Sequence, residues 1–291
     1  MTKRLIAVML CCVMVLLCGC SRLGKFKRIS FDAEILSGDL KCITDDTIVT
    51  YSANESFPSK LPIYYITERT ISENDVQKMK ENLGITKYHR SILEGNELIF
   101  RLVPYGDDGR SVYETFTEAD LECMAWESLS KIPFANGEYT YAGVTGSTER
   151  SQGGSGYKTI EVTVSFYRCI GDISVVGNEK LNLTFDATGL VEVYAVMFDY
   201  TQIGMMDVVP LEEAKNKIKT PDWSSLNETS GKVKTLETDR VQMYLINQHS
   251  KGCQILQPIY TFYGTAKTEA GGQTSFKSRV IAIPETMTYE E

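Results

Sequence analysis

Three stretches of the chain repeat apolar residues at helical spacing, with polar residues between them. Each has a recognisable start, and each is closed by a glycine or a proline. Two of the starts have the spacing of a capping box, in which a Ser or Thr is followed three residues later by an acid: Ser72 with Asp75, and Thr117 with Asp120. The third start is Pro210. The pattern therefore predicts three short helices, over residues 72–83, 117–132 and 210–220.

Most of the remaining chain alternates apolar and polar positions. The alternation is clearest at residues 159–166, where Ile160, Val162, Val164 and Phe166 are separated by polar residues. A period of two is typical of a strand with one buried face and one wet face. Further strands are predicted at residues 61–67, 97–103, 181–185, 190–198, 241–246, 255–263 and 276–283.

The order of these elements suggests how the chain is divided. A helix followed by three strands occurs twice, over residues 117–204 and 205–291, while residues 30–116 carry strand, helix and strand. One short helix on the dry face of each antiparallel meander would bury both apolar surfaces. We therefore predict an α+β fold, with two consecutive helix-plus-sheet units after an N-terminal α/β section.

The N-terminus has a different pattern from the rest of the chain. Lys3 and Arg4 precede an unbroken apolar run, Leu5–Leu17. A run of 13 residues is too short to cross a hydrocarbon layer, which takes about 20 residues. A positive segment followed by a short apolar run is typical of a secretory signal. Residues 1–19 are therefore predicted to be a signal peptide.

The residues that follow, Leu17-Cys18-Gly19-Cys20-Ser21, resemble the lipobox of bacterial lipoproteins. Cys18 departs from the Ala or Ser that is commoner at its position. The resemblance implies cleavage between Gly19 and Cys20, with a diacylglycerol on the Cys20 sulfur, and hence a location on the extracytoplasmic face of the cell membrane. The alternatives are an uncleaved signal anchor, or a soluble chain with an apolar tail.

Composition and charge narrow the possible partners. The 291 residues are 43% apolar, and 30 Lys and Arg face 38 Asp and Glu, which suits a globular chain and gives no basic surface for nucleic acid. Four cations instead follow the anchor, within a linker at residues 20–29: Arg22, Lys25, Lys27 and Arg28. They can contact anionic lipid headgroups. A merely solvated linker is an equally good interpretation.

Cysteine and histidine form no metal or catalytic motif. The four cysteines beyond the anchor stand far apart, without a C-x-x-C pair: Cys42, Cys123, Cys169 and Cys253. They could form disulfides or stay as buried thiols. Neither His89 nor His249 lies in a recognisable motif, and His249 is expected at a hairpin tip. We therefore predict no metal, no cofactor and no enzymatic activity.

Two glycine-containing segments look like known motifs but lack the required spacing or order. Gly153–Gly156 does not have the spacing of a phosphate-binding loop, and we interpret it as a hairpin connection. Asp186–Gly189 does not have the residue order of an aspartic protease, and it lies between two predicted strands. We expect a turn there.

The C-terminal part resembles known extracytoplasmic regulatory domains. Val209–Ala214, Gln257–Gly264 and Val280–Pro284 resemble the helix start and two strands of PepSY-type domains. Phe166–Gly177 and Leu183–Asp186 resemble the sheet unit of YycI- and YycH-type proteins, which are membrane-tethered regulators of low-GC Gram-positive bacteria. A lipid anchor would distinguish this chain from YycI-type proteins, which have a single membrane span.

Three functions are compatible with these features. The first is a non-enzymatic regulatory or protein-interaction module that binds another envelope protein through a sheet edge or face. The second is a lipoprotein that captures a peptide or glycan for a transporter or wall enzyme, on a surface of tyrosines: Tyr64, Tyr65, Tyr139, Tyr141, Tyr260 and Tyr263. The third is an envelope hydrolase with scattered carboxylates. The first is our prediction.

Overall fold

The structure is a computed structural model of the chain. It describes residues 23–27, 43–52, 55–102, 110–150, 157–221, 223–226, 232–249, 252, 254–284 and 286–290. Several predicted features lie outside this part: the signal peptide, Gly19, Cys20, Arg22, Arg28, Cys42, Cys253 and the segment Gly153–Gly156.

Helices occur at all three predicted places. In the described residues they are α1 (Glu73–Asn82), α2 (Val112–Thr115), α3 (Glu118–Ser130) and α4 (Leu211–Asn216). Both capping boxes form: Ser72 and Thr117 accept from the backbone N–H of Asp75 and Asp120, whose carboxylates accept in return. These hydrogen bonds lower the pKa of both carboxyls. None of the described helices is long and apolar enough to span a membrane.

The described strands outnumber those predicted. They are β1 (Leu23–Lys27), β2 (Ile48–Tyr51), β3 (Lys60–Glu68), β4 (Tyr88–Glu94), β5 (Glu97–Leu102), β6 (Glu138–Arg150), β7 (Tyr157–Ile170), β8 (Ile173–Gly177), β9 (Lys180–Asp186), β10 (Gly189–Val196), β11 (Phe198–Asp207), β12 (Trp223–Leu226), β13 (Val233–Asn247), β14 (Gln257–Thr268), β15 (Gln273–Ile281) and β16 (Thr286–Glu290).

Twelve of these strands form one sheet. The first half-sheet, in the order β6-β7-β9-β10-β5-β4, is antiparallel throughout. The second half-sheet, β13-β14-β15-β12, is also antiparallel and carries β2 parallel to β13. Short β8 joins the halves, since it pairs antiparallel with β7 and parallel with β13. The α+β class is confirmed, whereas the prediction of purely antiparallel meanders is wrong at β13.

Strands from residues 30–116 are shared between the two halves. β4 and β5 extend the first half-sheet beside β10, while β2 joins the second beside β13. β3 pairs with β11 in a separate two-stranded ribbon. Strand pairing thus crosses both boundaries placed after residues 116 and 204. The division into independently folding units stays a prediction.

The apolar core has a large cluster in each half-sheet and a small one where they join. In the first half, α1 and α3 both cover the dry face, so that two helices pack there and not the one expected. In the second half, Ala214 of α4 packs with buried residues of β13, β14 and β15. The small cluster at the seam consists of Ile66, Val175, Phe198, Leu245 and Leu256.

One predicted strand is two strands. The run at 190–198 breaks at Met197, where β10 ends and β11 leaves for its pairing with β3. Asn96 satisfies the backbone at the break, because its carbonyl accepts from the Met197 N–H at 2.9 Å and its side-chain amide donates to the Met197 carbonyl at 3.1 Å. The turn expected at Asp186–Gly189 is confirmed: the Asp186 carboxylate accepts from the Thr188 N–H at 2.7 Å.

Candidate functional site

The long strand β6 forms an open edge of the first half-sheet. Among the described strands it pairs only with β7, in a register that runs from Glu138 opposite Cys169 to Arg150 opposite Tyr157. Its other edge therefore offers backbone N–H and C=O groups to a further strand. Thr145, Gly146 and Ser147 are exposed near its middle.

The sequence of β6 does not protect that edge by charge. From Tyr139 to Thr148 it contains no charged residue and no proline, although both are devices by which proteins block edge-to-edge pairing. The opposite edge strand, β4, carries His89, Arg90 and Glu94. β6 thus lacks the charged side chains that oppose pairing with another strand, whereas β4 carries them.

Two bulges shape the edge without closing it. The register of β6 with β7 shifts between Tyr141 and Gly143 and again between Ser147 and Thr148. Gly143 has a φ of +132°, a conformation that glycine adopts without strain. Between the bulges, residues 143–147 pair regularly with β7, so this segment gives an added strand a regular template.

A cleft of about 490 Å³ adjoins the start of this edge. Thr140, Tyr141 and Ala142 of β6 form one wall, and Gln242 and Tyr244 of β13 lie across it. Tyr167 of β7 and Met243 of β13 also line it. The β7–β8 turn, the start of β8 and the segment before β3 complete the lining, with Asp172, Ile173, Ser174, Phe57 and Pro58. A side chain of a strand bound along β6 could enter this cleft.

The lining of the cleft is mostly aromatic, apolar and neutral polar. Of the described residues that line it, Asp172 is the one carboxylate, and none is a histidine, cysteine or lysine. Paired acids for general acid–base hydrolysis are therefore absent from this lining. In the described part of the chain, no three His, Cys, Asp or Glu side chains lie close enough to hold a metal ion.

The most perturbed carboxyl lies at the seam between the half-sheets. Glu179 is buried, and its Oε2 accepts from the Tyr200 hydroxyl at 2.5 Å, while its Oε1 lies 3.8 Å from Arg168 Nη1. Asn247 donates to the same hydroxyl at 3.1 Å. Burial raises the pKa of Glu179 to about 7, against the opposing effects of Tyr200 and Arg168. This network ties β7, β11 and β13 together.

No protein-family model matches the chain, and no curated protein matches it either.

The structure describes only part of the predicted membrane-contact strip. Lys25 and Lys27 lie in β1, where they are in register with Thr288 and Thr286 of β16. The C-terminal strand is thus paired with the segment that follows the predicted anchor.

The predicted tyrosine surface does not form as one surface. Tyr260 is core, with its hydroxyl donating to the Val209 carbonyl at 2.8 Å, and Tyr263 lies on the opposite face of β14. Tyr141 lines the cleft, whereas Tyr64 lines a separate apolar pocket of about 340 Å³. The tyrosines that share the cleft are Tyr141, Tyr167 and Tyr244, and two of these were not among those singled out.

The histidines and the described cysteines do not line the cleft. His249 lies between paired strands β13 and β14, as expected, but it is half-buried against Phe198, with ring centroids 5.4 Å apart. His89 lies in β4. Cys123, on α3, and Cys169, on β7, are free thiols.

The edge of β6 was missed because its strand signal is weak. Two glycines and several small polar residues blur the alternation of apolar and polar residues between Ala142 and Thr148. A search for uncharged, proline-free runs would have found it, since no other described strand at a sheet edge has so long a run without charge.

Proposed function

We propose that the protein is a lipoprotein, anchored through Cys20 on the extracytoplasmic face of the membrane, that acts as a non-enzymatic regulatory and interaction module. It binds an extended segment of another envelope protein, which adds to the sheet beside β6. The observation that carries the proposal is the uncharged, proline-free edge of β6, from Tyr139 to Thr148, which the described strands leave open.

Strand addition suits this edge physically. An added strand gains main-chain hydrogen bonds along β6, which give affinity. Every second side chain of that strand contacts the surface beside β6, which gives specificity. On one side that surface includes the cleft at Thr140–Ala142, which is lined by the phenol rings of Tyr141, Tyr167 and Tyr244. The partner segment is therefore expected to be uncharged along the middle of β6 and to carry an apolar or aromatic side chain at the cleft.

The proposed anchor places this edge near membrane partners. Two acyl chains at Cys20 would hold the chain on the membrane, because each buried CH₂ contributes about 0.8 kcal/mol. The four cations Arg22, Lys25, Lys27 and Arg28 add at most about 1 kcal/mol each at an anionic surface. Since β1 begins only three residues after Cys20 and pairs with β16, the two-stranded sheet of β1 and β16 is expected close to the bilayer.

We further propose that residues 115–285 are two consecutive PepSY/YycI-like units. The order of elements supports this, because α3 precedes β6, β7, β9 and β10 of the first half-sheet and α4 precedes β12, β13, β14 and β15 of the second. The regulatory part of the proposal follows from this resemblance, and the binding part follows from the edge.

Site-specific photocrosslinking in native membranes tests the proposal. A photoreactive residue at Thr145 of β6 is compared with one at Ser91 of β4, which is equally on an edge and exposed. We expect a discrete adduct with one envelope protein from Thr145 and none from Ser91.

Lysine substitutions then test whether the contact is a strand pairing. Ser147→Lys puts a charge on the β6 edge and is expected to abolish the Thr145 adduct. The matched control is Thr201→Lys, on exposed β11, which should leave the adduct intact. Equal adducts from Thr145 and Ser91, or an adduct that survives Ser147→Lys, would contradict the proposal.

Ligand capture is the second candidate function, and the tyrosine-lined cleft is the observation that favours it. A peptide or glycan held there for a transporter or wall enzyme should raise the melting temperature of the protein. Tyr244→Ala should remove that increase, whereas Tyr88→Ala, an exposed tyrosine of β4, should not. No stabilisation by any envelope-derived peptide or glycan would exclude this role.

A further inference from the structure

The face of the second half-sheet opposite its apolar core carries three cations in two adjacent rows. Register places Arg240 of β13, Tyr263 of β14 and Lys277 of β15 directly beside one another. The next row is formed by Gln242, Thr261 and Arg279 on the same three strands. Val241 and Phe262, their alternate neighbours, are buried on the opposite face.

Tyr263 separates the two cations of the first row. The Arg240 guanidinium lies 4.2 Å from the centre of the Tyr263 ring, and the Lys277 ammonium lies 5.3 Å from it. Both contacts are cation–π interactions, which orient the charged groups without neutralising them. No carboxylate of the described residues lies within 4.0 Å of either cation.

Elsewhere on the same strands, one cation is neutralised by a carboxylate. Lys267 of β14 lies 2.5 Å from Glu237 of β13. The chain as a whole has an excess of acids, with a formal charge of −8. Carboxylates are thus plentiful, and their absence around Arg240 and Lys277 is a local property of this face.

Placing three cations close together on one face of the sheet is electrostatically unfavourable. Burial, together with the charges of Arg279 and Arg240, lowers the pKa of Lys277 to about 8. Thr261, which lies between Gln242 and Arg279, is fully buried, and its hydroxyl has no hydrogen-bond partner among the described residues. An anion with several oxygens is favoured at this face, because no carboxylate of the described residues neutralises Arg240 or Lys277 and the Thr261 hydroxyl is unsatisfied.

We propose that Arg240, Lys277 and Arg279, around Tyr263, form a binding site for a phosphate-bearing ligand. A phosphate group presents three or four acceptor oxygens and up to two negative charges, which matches donors that come from two strands. A carboxylate presents two oxygens and a single charge. The site adjoins the cleft, since Gln242 lines both, but it is distinct from the β6 edge and does not depend on the proposed function.

Calorimetry on the full chain in a nonionic detergent tests the site with two probes. Inorganic phosphate represents a free phosphate, and dihexanoyl phosphatidic acid, whose phosphate is a monoester, represents a lipid headgroup. Saturable binding is expected, and Arg240→Gln and Lys277→Gln should each weaken it by about tenfold or more. Tighter binding of the lipid than of phosphate would identify a headgroup as the ligand, and the reverse would identify a free or polymeric phosphate.

Lys234→Gln is the matched control, because Lys234 is an exposed cation of β13 outside the two rows. It should change the affinity less than twofold, while thermal unfolding shows that all three variants are folded. The proposal is overturned if neither probe saturates at tens of millimolar. It is also overturned if Lys234→Gln weakens binding as much as Lys277→Gln, or if acetate binds as tightly as phosphate.

Discussion

The two half-sheets bury their dry faces in different ways. The first is covered by α1 and α3, and both helices begin with a complete capping box. The second is covered by six-residue α4, whose start at Pro210 has no side-chain cap, and by residues from distant parts of the chain such as Phe57 and Tyr51. The first half therefore depends more on local signals and the second more on long-range contacts.

The two half-sheets also differ on the faces opposite their cores, in how their charged residues are arranged. The first half-sheet pairs its charges there, since Arg101 contacts Glu161 at 2.6 Å and Glu192 at 3.0 Å. The second gathers Arg240, Lys277 and Arg279. The open edge lies in one half and the cation rows in the other, so two binding functions can be separated by mutation.

The largest expected effect on the free energy of unfolding comes from removing a large buried side chain from the core of either half-sheet. Phe185 in β9 and Phe262 in β14 are both fully buried, and Phe→Ala at either should lower the free energy of unfolding by about 4 kcal/mol. The two tryptophans report the halves separately, because Trp126 lies on α3 and Trp223 on β12. Denaturation curves of the single-tryptophan variants Trp126→Phe and Trp223→Phe measure both transitions.

Because β8 joins the half-sheets, we expect one cooperative transition. Phe185→Ala should then shift both tryptophan signals equally, and so should Phe262→Ala. If each substitution shifted only the signal of its own half, the halves would unfold independently. The division at residues 204–205 would then be the correct description, and the shared sheet would contribute little to stability.

The next largest expected effect on stability comes from Glu179, at the seam between the half-sheets, and it depends on pH. Folding raises the pKa of Glu179 from 4.5 to about 7, so the folded state holds its proton more tightly than the unfolded state. Stability attributable to this group is present below pH 4.5 and is lost as the pH rises towards 7. The difference corresponds to about 3 kcal/mol.

Glu179→Gln should remove this dependence and keep an acceptor for Tyr200. Urea denaturation should show the variant more stable than wild type by an amount that grows from pH 4.5 to pH 7 and then levels off. Glu237→Gln, on the surface beside Lys267, is the control and should show no such growth. A constant difference across the pH range would mean that Glu179 is charged in the folded protein at pH 5.

The smallest expected effect on the free energy of unfolding comes from removing a helix cap. Caps are present at α1 and α3 of the first half and absent at α4 of the second. Thr117→Ala removes the hydroxyl that caps α3 and should cost about 1 kcal/mol, as should Ser72→Ala at α1. Thr201→Ala, at an exposed position of β11, should change the free energy of unfolding by less than about 0.5 kcal/mol. If all three substitutions had equal effects in urea denaturation, the caps would not stabilise the first half.

Features with a local cause could be predicted from the sequence. Ser72 with Asp75 and Thr117 with Asp120 are contained within four residues each, and both boxes form. The alternation at Ile160–Phe166 likewise marks the strand and its buried face. The α+β class follows from these elements.

Features with a long-range cause could not be predicted. The parallel pairing of β8 with β13 joins residues about 70 positions apart, and nothing in either segment specifies the partner. The cation rows depend on the register of three strands, so Arg240 and Lys277 show no relationship in the sequence. The cleft is assembled from β6, β7, β8 and β13, and its tyrosines lie as far apart as Tyr141 and Tyr244.

Amide hydrogen exchange tests the central claim, strand addition at β6, most directly. Mass spectrometry compares the protein alone with the complex formed with the partner that Thr145 captures. We expect peptides covering residues 139–148 to exchange at least about tenfold more slowly in the complex, because their outward amides become paired, while peptides covering 88–94 of β4 are unchanged. Unchanged exchange along β6, with slowing on another surface, would contradict the account.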